Sequence, residues 1–481
     1  MGVNAIDSRR IAVIGGGLSG LTTAAKLQLA APQLDISLFE SQPRLGGVIY
    51  TEQVDGFLID HGADMFATKP AGVLELCEQL GISDRVIEAQ QARRGARIVR
   101  SGSLVPVPDG FVLMRATQLL PILKTPLLSL SGKLRFLAER WVQGPDTDQD
   151  VSVGEFVRKR MGQEALDRLV APLVAGIYTA DVSKLSMQST MAPLDKMVRE
   201  HGSFAKATAA RRKTGEDSVE RLSTGARYGQ FRSFRNGMFE LIQGLEACLP
   251  KSSIHLQSPV ESLSRLSKQW QIKAKGHDAQ TFDHVVVATP PRHATNLLRD
   301  IAPTAADELA AIQAASTAIV VLGVRRADIP SDIETFGFVV PPNENRKILA
   351  GSFASHKFPD RAPEDHVLIR VFIGGALQAE LLELSDQALI QLALSELKAT
   401  IGLDGEPRLA KVIRWTDAMP QYHVGHADRI KRIEESIAQN PNLSLVSNVM
   451  HGVGIAPVIQ LADKVASQIV ASSSESDSCR N

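Results

Sequence analysis

Residues 11–14, Ile-Ala-Val-Ile, form a short apolar run with no polar break, as expected of a strand buried on both faces. Apolar positions then recur at Leu21, Ala24, Ala25 and Leu27, the spacing of a helix packed on one side. A second run, 36–39, ends in Glu40, and a third, 282–288, is rich in Val and stops at Pro290-Pro291. A last strand over 443–448 precedes a helical pattern over 458–470. Between these lie helical periodicity at 152–160 and 163–174 and a hairpin or meander at 263–275. Strands are predicted at 318–324, 336–340 and 367–373, and a helix at 385–401. Strand and helix patterns thus alternate first, then mix, which predicts an α/β protein with a mixed sheet packed under helices.

The first strand runs into Gly15-Gly16-Gly17-Leu18-Ser19-Gly20 at the start of the first helix. In a GxGxxG turn Gly15 permits the tight bend, Gly17 lets a pyrophosphate approach the backbone, and Gly20 allows close packing of helix on strand. The amides of Leu18 and Ser19 then face the anion. Glu40 follows Gly20 by twenty residues, where a carboxylate accepts both hydroxyls of an adenosine ribose and repels a 2′-phosphate, which argues against NADP. Strand, helix, strand and acid together indicate a dinucleotide.

Composition narrows the class. With 53 basic against 53 acidic residues the chain lacks the positive excess of nucleic-acid binders. Cys77, Cys248 and Cys479 are odd in number and have no CxxC spacing, so no disulfide framework or zinc site is expected. No HExxH or GxSxG occurs either, and a metal is not expected. The first ten residues lack an apolar signal core, Ile6 stands where myristoylation needs Ser or Thr, and the stretch 111–130 is interrupted by Arg115, Pro121, Lys124 and Pro126. A cytoplasmic protein is expected, with peripheral contact at a membrane surface left open. The Ser-rich run 472–478 reads as a disordered tail.

Beyond Glu40, Pro43-Arg44-Leu45-Gly46-Gly47-Val48 adds a second glycine pair and a cation for the phosphates. NAD dehydrogenases need no such element. Here the chain resembles the flavin-containing amine oxidase superfamily, whose members carry RxGG at this place. The resemblance extends through 57–66, with Asp60 and Ala63 for the usual Glu and Pro, and through Ala288-Thr289-Pro290-Pro291. It implies FAD as cofactor and places Gly62 beside it, with the Val260 backbone at the adenine. Asn448, Val453, Gly454 and Ile455 fall in the closing motif at the flavin, although Ser447 stands where Gly is usual. His61 is read as a polar neighbour of the cofactor.

Within the superfamily the segments 97–108, 131–135, 172–178 and 358–363 resemble the oxygen-dependent protoporphyrinogen and coproporphyrinogen III oxidases of haem synthesis. That implies a porphyrinogen substrate and dioxygen as acceptor. By ungapped comparison Phe372 matches the aromatic residue that stacks on a pyrrole, and Val339 an aliphatic residue on the ring's opposite face. The family's propionate arginine aligns with Ala96; a regular strand turns the adjacent Arg97 the other way, so either the register shifts by one and Arg97 is the candidate cation, with Arg93, Arg94 and Arg100 near it, or the propionates are gripped differently. Loss of that arginine, as in some bacterial relatives, favours coproporphyrinogen.

Three other readings stay on the table: an amine oxidase or carotenoid-type desaturase of the same superfamily, an NAD-linked dehydrogenase, and a non-catalytic flavin-binding protein. No aromatic residue lies between Asn448 and Ala466 to build an amine-oxidase cage. The expected organisation is a discontinuous Rossmann-like FAD-binding domain (1–90, 231–300 and 441–470), a helical lobe facing substrate or membrane (91–230), an inserted mixed-sheet substrate domain (301–440) and a tail (471–481). The sequence does not set the oligomeric state.

Overall fold

A computed structural model describes residues 9–90, 95–143, 149–214 and 231–478. Five strands from three distant parts of the chain form one parallel sheet in the order Ile254–His255, Asp35–Phe39, Arg10–Ile14, His284–Val287 and Leu443–Leu445. Ile11 pairs with Ile36 on one side and His284 on the other, without a register break. Both faces are covered, so the strands can be apolar throughout; Ile11, Ala12, Val13, Val285, Val286 and Val287 are fully buried. The first helix, Leu18–Ala30, packs along the last, Ile455–Ser478. Val260–Leu266, Gln269–Ala274 and Gln280–Phe282 make the expected antiparallel meander.

The second sheet has seven strands in the order Leu409–Pro420, Ala314–Arg325, His366–Gly374, Ala350–Phe353, Gly337–Val339, Ala96–Arg100 and Ser103–Pro106. The pair Gly337–Val339 and Ala96–Arg100 is parallel and the rest are antiparallel. Alternation along each strand gives the sheet two faces. Val99, Val320, Phe338 and Val371 turn one face toward Leu389, Ala393 and Leu397 of the helix Asp386–Ile401, which Ser385 caps by accepting from the Ala388 N–H at 3.3 Å. The other face meets Phe57 and Ile59 of the nucleotide-binding part and the core of the helical lobe.

That lobe includes the helices Leu130–Leu137, Val153–Met161, Ala171–Tyr178, Ala192–His201 and Phe204–Thr214. The pattern over 163–174 resolves into Gln163–Ala165, a widened turn Leu166–Val170 and the helix Ala171–Tyr178. Arg160 and Glu139, both buried, staple the lobe: Arg160 donates to Glu139 Oε1 at 3.1 and 3.0 Å, and the same oxygen accepts from Phe204 N–H at 2.9 Å.

The tail departs from expectation. The last helix continues through the Ser-rich run to Ser478. Extending a helix already anchored on the core costs no new nucleus, so weak helix formers can continue it. Arg93, Arg94 and Cys479 lie outside the described residues.

Candidate functional site

The nucleotide cradle is local. Gly17 caps the first helix with extended backbone, φ −71°, and no side-chain hydrogen bond, and the first turn carries no acid. Its leading N–H groups, those of Leu18 and Ser19 among them, are therefore presented to an anion. A Cβ on Gly20 would collide with the Gly15 carbonyl, so Gly20 is required by packing. A Cβ on Gly17 would meet no atom within 4 Å. Nothing in the protein demands a glycine there, and the open space is what a pyrophosphate approaching the backbone needs.

Glu40 is buried at the end of its strand; Oε2 accepts from Gly16 N–H at 2.7 Å and Oε1 from Gln42 N–H at 2.7 Å and Ser41 Oγ at 3.1 Å. A carboxylate has about four acceptor positions, so Oε2 keeps room for a ribose hydroxyl. Glu40 N–H donates to His255 O at 2.9 Å and Ser258 N–H to Glu40 O at 2.8 Å, which ties the segment leading to Val260 to Glu40. Gly46 N–H donates to Gly16 O at 2.8 Å, and Gly47 lies on Gly17. Arg44 folds over its own loop, donating to Leu45 O at 3.0 Å and Gly47 O at 2.9 Å with its guanidinium 4.5 Å from the Tyr50 ring centre. The residues thus fit a dinucleotide of the predicted kind.

The closing loop is tied from outside. Tyr422 donates its hydroxyl hydrogen to Asn448 O and accepts from Gly452 N–H at 3.0 Å, while His426 contacts Val449 O at 2.8 Å. Val453 packs on the lobe core, and Gly454 and Ile455 open the last helix. Tyr422, a residue that the sequence reading did not single out, is buried and stacked on His426 at 3.9 Å, so it braces this loop.

His61 is held at Nε2 by Glu52 Oε1 at 2.7 Å, with Lys411 also on Glu52 and Trp415 donating to the His61 carbonyl at 2.8 Å. Burial lowers the His61 pKa, against the pull of Glu52, so the ring favours its neutral form near pH 7. Gly62 follows and accepts from the Arg370 guanidinium.

Register assembles the second half of the site. Ile98 pairs with Val339, Val339 with Ala350, Ala350 with Phe372, Phe372 with Ile319 and Ile319 with Ile413. All six share one face of the seven-stranded sheet. Ile98, Ala350, Ile319 and Ile413 are buried, whereas Val339 and Phe372 are partly exposed on either side of the small Ala350. Two strand spacings, about 9.6 Å, separate their backbones. A flat ring standing edge-on over Ala350 would have one of these side chains on each side, the arrangement expected for opposite faces of a macrocycle.

Arg97 is not part of this face. Its strand keeps regular register from Arg97 to Arg100, and Arg97 pairs with Phe338, whose ring belongs to the core under the helix Asp386–Ile401. The shift that would have turned Arg97 inward does not occur, so the structure corrects that expectation. The cations that do reach the inner side were missed: Arg370 bonds Asp64 at 3.1 Å and Lys357 bonds the same oxygen at 2.8 Å. A signal existed, since Arg370 interrupts an otherwise apolar strand, and a charged residue in such a place is rarely incidental.

Parallel sheet, glycine turn, buried Glu40 and second glycine pair define a dinucleotide-binding oxidoreductase fold with an added apolar bed. The chain belongs to the flavin containing amine oxidoreductase family, whose model matches residues 18–470. It is 31% identical over 456 residues to a coproporphyrinogen III oxidase of Bacillus subtilis (strain 168), covering 94% of this chain and 96% of that one. It is 27% identical over 504 residues to protoporphyrinogen oxidase 2, chloroplastic/mitochondrial, of Arabidopsis thaliana, covering 100% and 96%. A crystal structure from Exiguobacterium sp. 255-15, provisionally named a protoporphyrinogen oxidase, superposes with a TM-score of 0.84 at 30% identity, covering 97% of this chain and 99% of that one.

Proposed function

We propose that this protein is an FAD-dependent oxidase that converts a porphyrinogen, protoporphyrinogen IX or coproporphyrinogen III, into the porphyrin of haem synthesis, with dioxygen as terminal acceptor. The observation that carries the reading is the apolar row in which Val339 and Phe372 flank Ala350 on the sheet face joined to the cofactor segment through Arg370 and Gly62. Relatives at about 30% identity over nearly the whole chain, named as porphyrinogen oxidases, support it. An amine-oxidase cage finds no support in Tyr422, which is buried and committed to the Asn448 loop.

Gly15, Gly17, Leu18, Ser19, Gly20, Gly46 and Gly47 would hold the FAD diphosphate, with Arg44 ordering that loop. Glu40 would hold the ribose and Val260 the adenine, and Gly62, Asn448, Val453, Gly454 and Ile455 would lie at the flavin end. Bound FAD supplies the two-electron acceptor, and three hydride removals, each with loss of a proton, account for the six electrons between porphyrinogen and porphyrin; three dioxygen become three hydrogen peroxide. The side chains present an apolar surface, order the ring against the acceptor and keep water away.

In the test, FAD-loaded protein is mixed anaerobically with each porphyrinogen. Bleaching of the flavin with rising porphyrin fluorescence is expected with at least one, and a flavin that stays oxidised with both refutes the activity.

We also propose peripheral membrane contact through the lobe. Leu119, Leu120, Leu123, Leu130, Leu134 and Trp141 are 43–80% exposed, beside Lys124 and Arg140. No helix among the described residues is long and apolar enough to cross a membrane. Flotation with phosphatidylglycerol vesicles, lost on L130D/L134D, is expected; equal flotation of the variant would exclude this surface.

A further inference from the structure

Arg370 stands alone as a charge within the apolar run 367–373, and its side chain is 3% exposed. Lys357 ends the short helix Ala354–Lys357 and is 7% exposed; Asp64, in the loop after Gly62, is 9% exposed. Both cations bind Asp64 Oδ2, Lys357 at 2.8 Å and Arg370 at 3.1 Å, and no other carboxylate lies within ion-pair distance of either among the described residues. Burial alone would push Asp64 up, but the fields of Lys357 and Arg370 and their hydrogen bonds hold it well below the ordinary carboxylate range, so it is ionised. Two positive charges therefore share one negative charge. Arg361, also buried nearby, donates to Phe234 O at 2.7 Å, Arg235 O at 2.9 Å and Ser233 Oγ at 3.2 Å; it forms no ion pair with Asp64 and feels the fields of Asp60, Asp64, Asp360 and Glu240, that of Asp60 most.

An uncompensated buried charge is costly, which makes it worth asking which group it serves here. Position says which group. Arg370 donates to Gly62 O, Gly62 packs on the Val48 carbonyl, and Gly47 beside it touches Gly17. On its other side the Arg370 guanidinium lies 5.4 Å from the centre of the Phe372 ring. The cluster thus lies between the diphosphate cradle and the apolar bed.

We propose that Asp64, Lys357 and Arg370 form a positioning cluster whose net positive charge stabilises the added negative charge of reduced FAD and so raises the reduction potential of the bound cofactor. This rests on the reading of the site as an FAD site. A unit charge within about 10 Å, acting through an effective dielectric near 20, changes such an equilibrium by roughly tenfold.

The test compares the reduction potential of FAD-loaded wild type, K357M and K357R by equilibration with a reference dye, without substrate. K357M leaves Arg370 and Asp64 as a matched pair, and its reduction is expected to be about tenfold less favourable, about 30 mV for a two-electron couple. K357R keeps the charge and should stay within about twofold of wild type. A K357M potential equal to wild type overturns the proposal, as does an equal shift in K357R. K357M purified without flavin also overturns it, because the charge would then serve cofactor retention. Colourless wild type would instead refute the FAD reading, whereas yellow wild type inert toward porphyrinogens would refute only the substrate.

Discussion

The glycine cradle and the apolar bed are the two halves of the proposed site and are specified in opposite ways. The cradle is built mostly from backbone groups within some thirty residues, from Gly15 to Gly47, and its side chains matter chiefly by being absent. In the bed, Ile98, Ala350, Phe372 and Ile413 come from four separate strands, that of Ile98 about 250 residues before the rest, and share a face only through register. A backbone device tolerates little at its glycines, whereas a side-chain surface can be altered one position at a time without losing the fold. The buried ion cluster at Asp64 joins the two.

The largest break should come inside the cradle. Gly20→Ala places a methyl group against the Gly15 carbonyl and should cost about 3 kcal/mol of stability, read as a fall in the urea midpoint at unchanged slope. An unchanged midpoint would show that the helix can shift to accommodate it. Gly17→Ala has room for its methyl group in the protein itself, so stability should stay within about 0.5 kcal/mol while FAD affinity falls about tenfold or more. Full flavin content at limiting FAD would remove Gly17 from the diphosphate site.

On the bed, Phe372→Ala should leave flavin content intact and lower porphyrinogen kcat/KM by about tenfold, the scale of a lost aromatic contact. Unchanged kinetics would return Phe372 to a packing role. The smallest effect is expected at Arg97→Ala, within about twofold of wild-type kcat/KM, because Arg97 lies on the far face of the sheet. A large rise in KM there would mean that the sheet presents Arg97 to substrate after all.

This contrast explains what could be read before the structure. Gly15 to Gly20, Glu40 and the second glycine pair form a compact motif whose geometry follows from chain chemistry, so the nucleotide was legible and the motif supplies its proposed place. Four strands of the parallel sheet were legible as apolar runs, whereas the edge strand Ile254–His255, only two residues long, carries no such run. Alternation also allowed the side of Arg97 to be anticipated, since a regular strand turns it away from Ala96. The pairing of Lys357 and Arg370 with Asp64 was not legible, because it joins residues about 300 positions apart through a buried contact that leaves no periodic trace. Tyr422 was hidden for the same reason: its partner, the Asn448 carbonyl, is a backbone atom of another segment.

The central claim is that a porphyrin ring lies between Phe372 and Val339 beside the flavin. It is tested most directly by a crystal structure of the FAD-loaded protein with a porphyrin product bound. The expected electron density shows the macrocycle edge-on over Ala350, one pyrrole against Phe372 and the isoalloxazine reached from the Gly17 cradle. Density for the macrocycle anywhere else, with Phe372 and Val339 closed on each other, would contradict it.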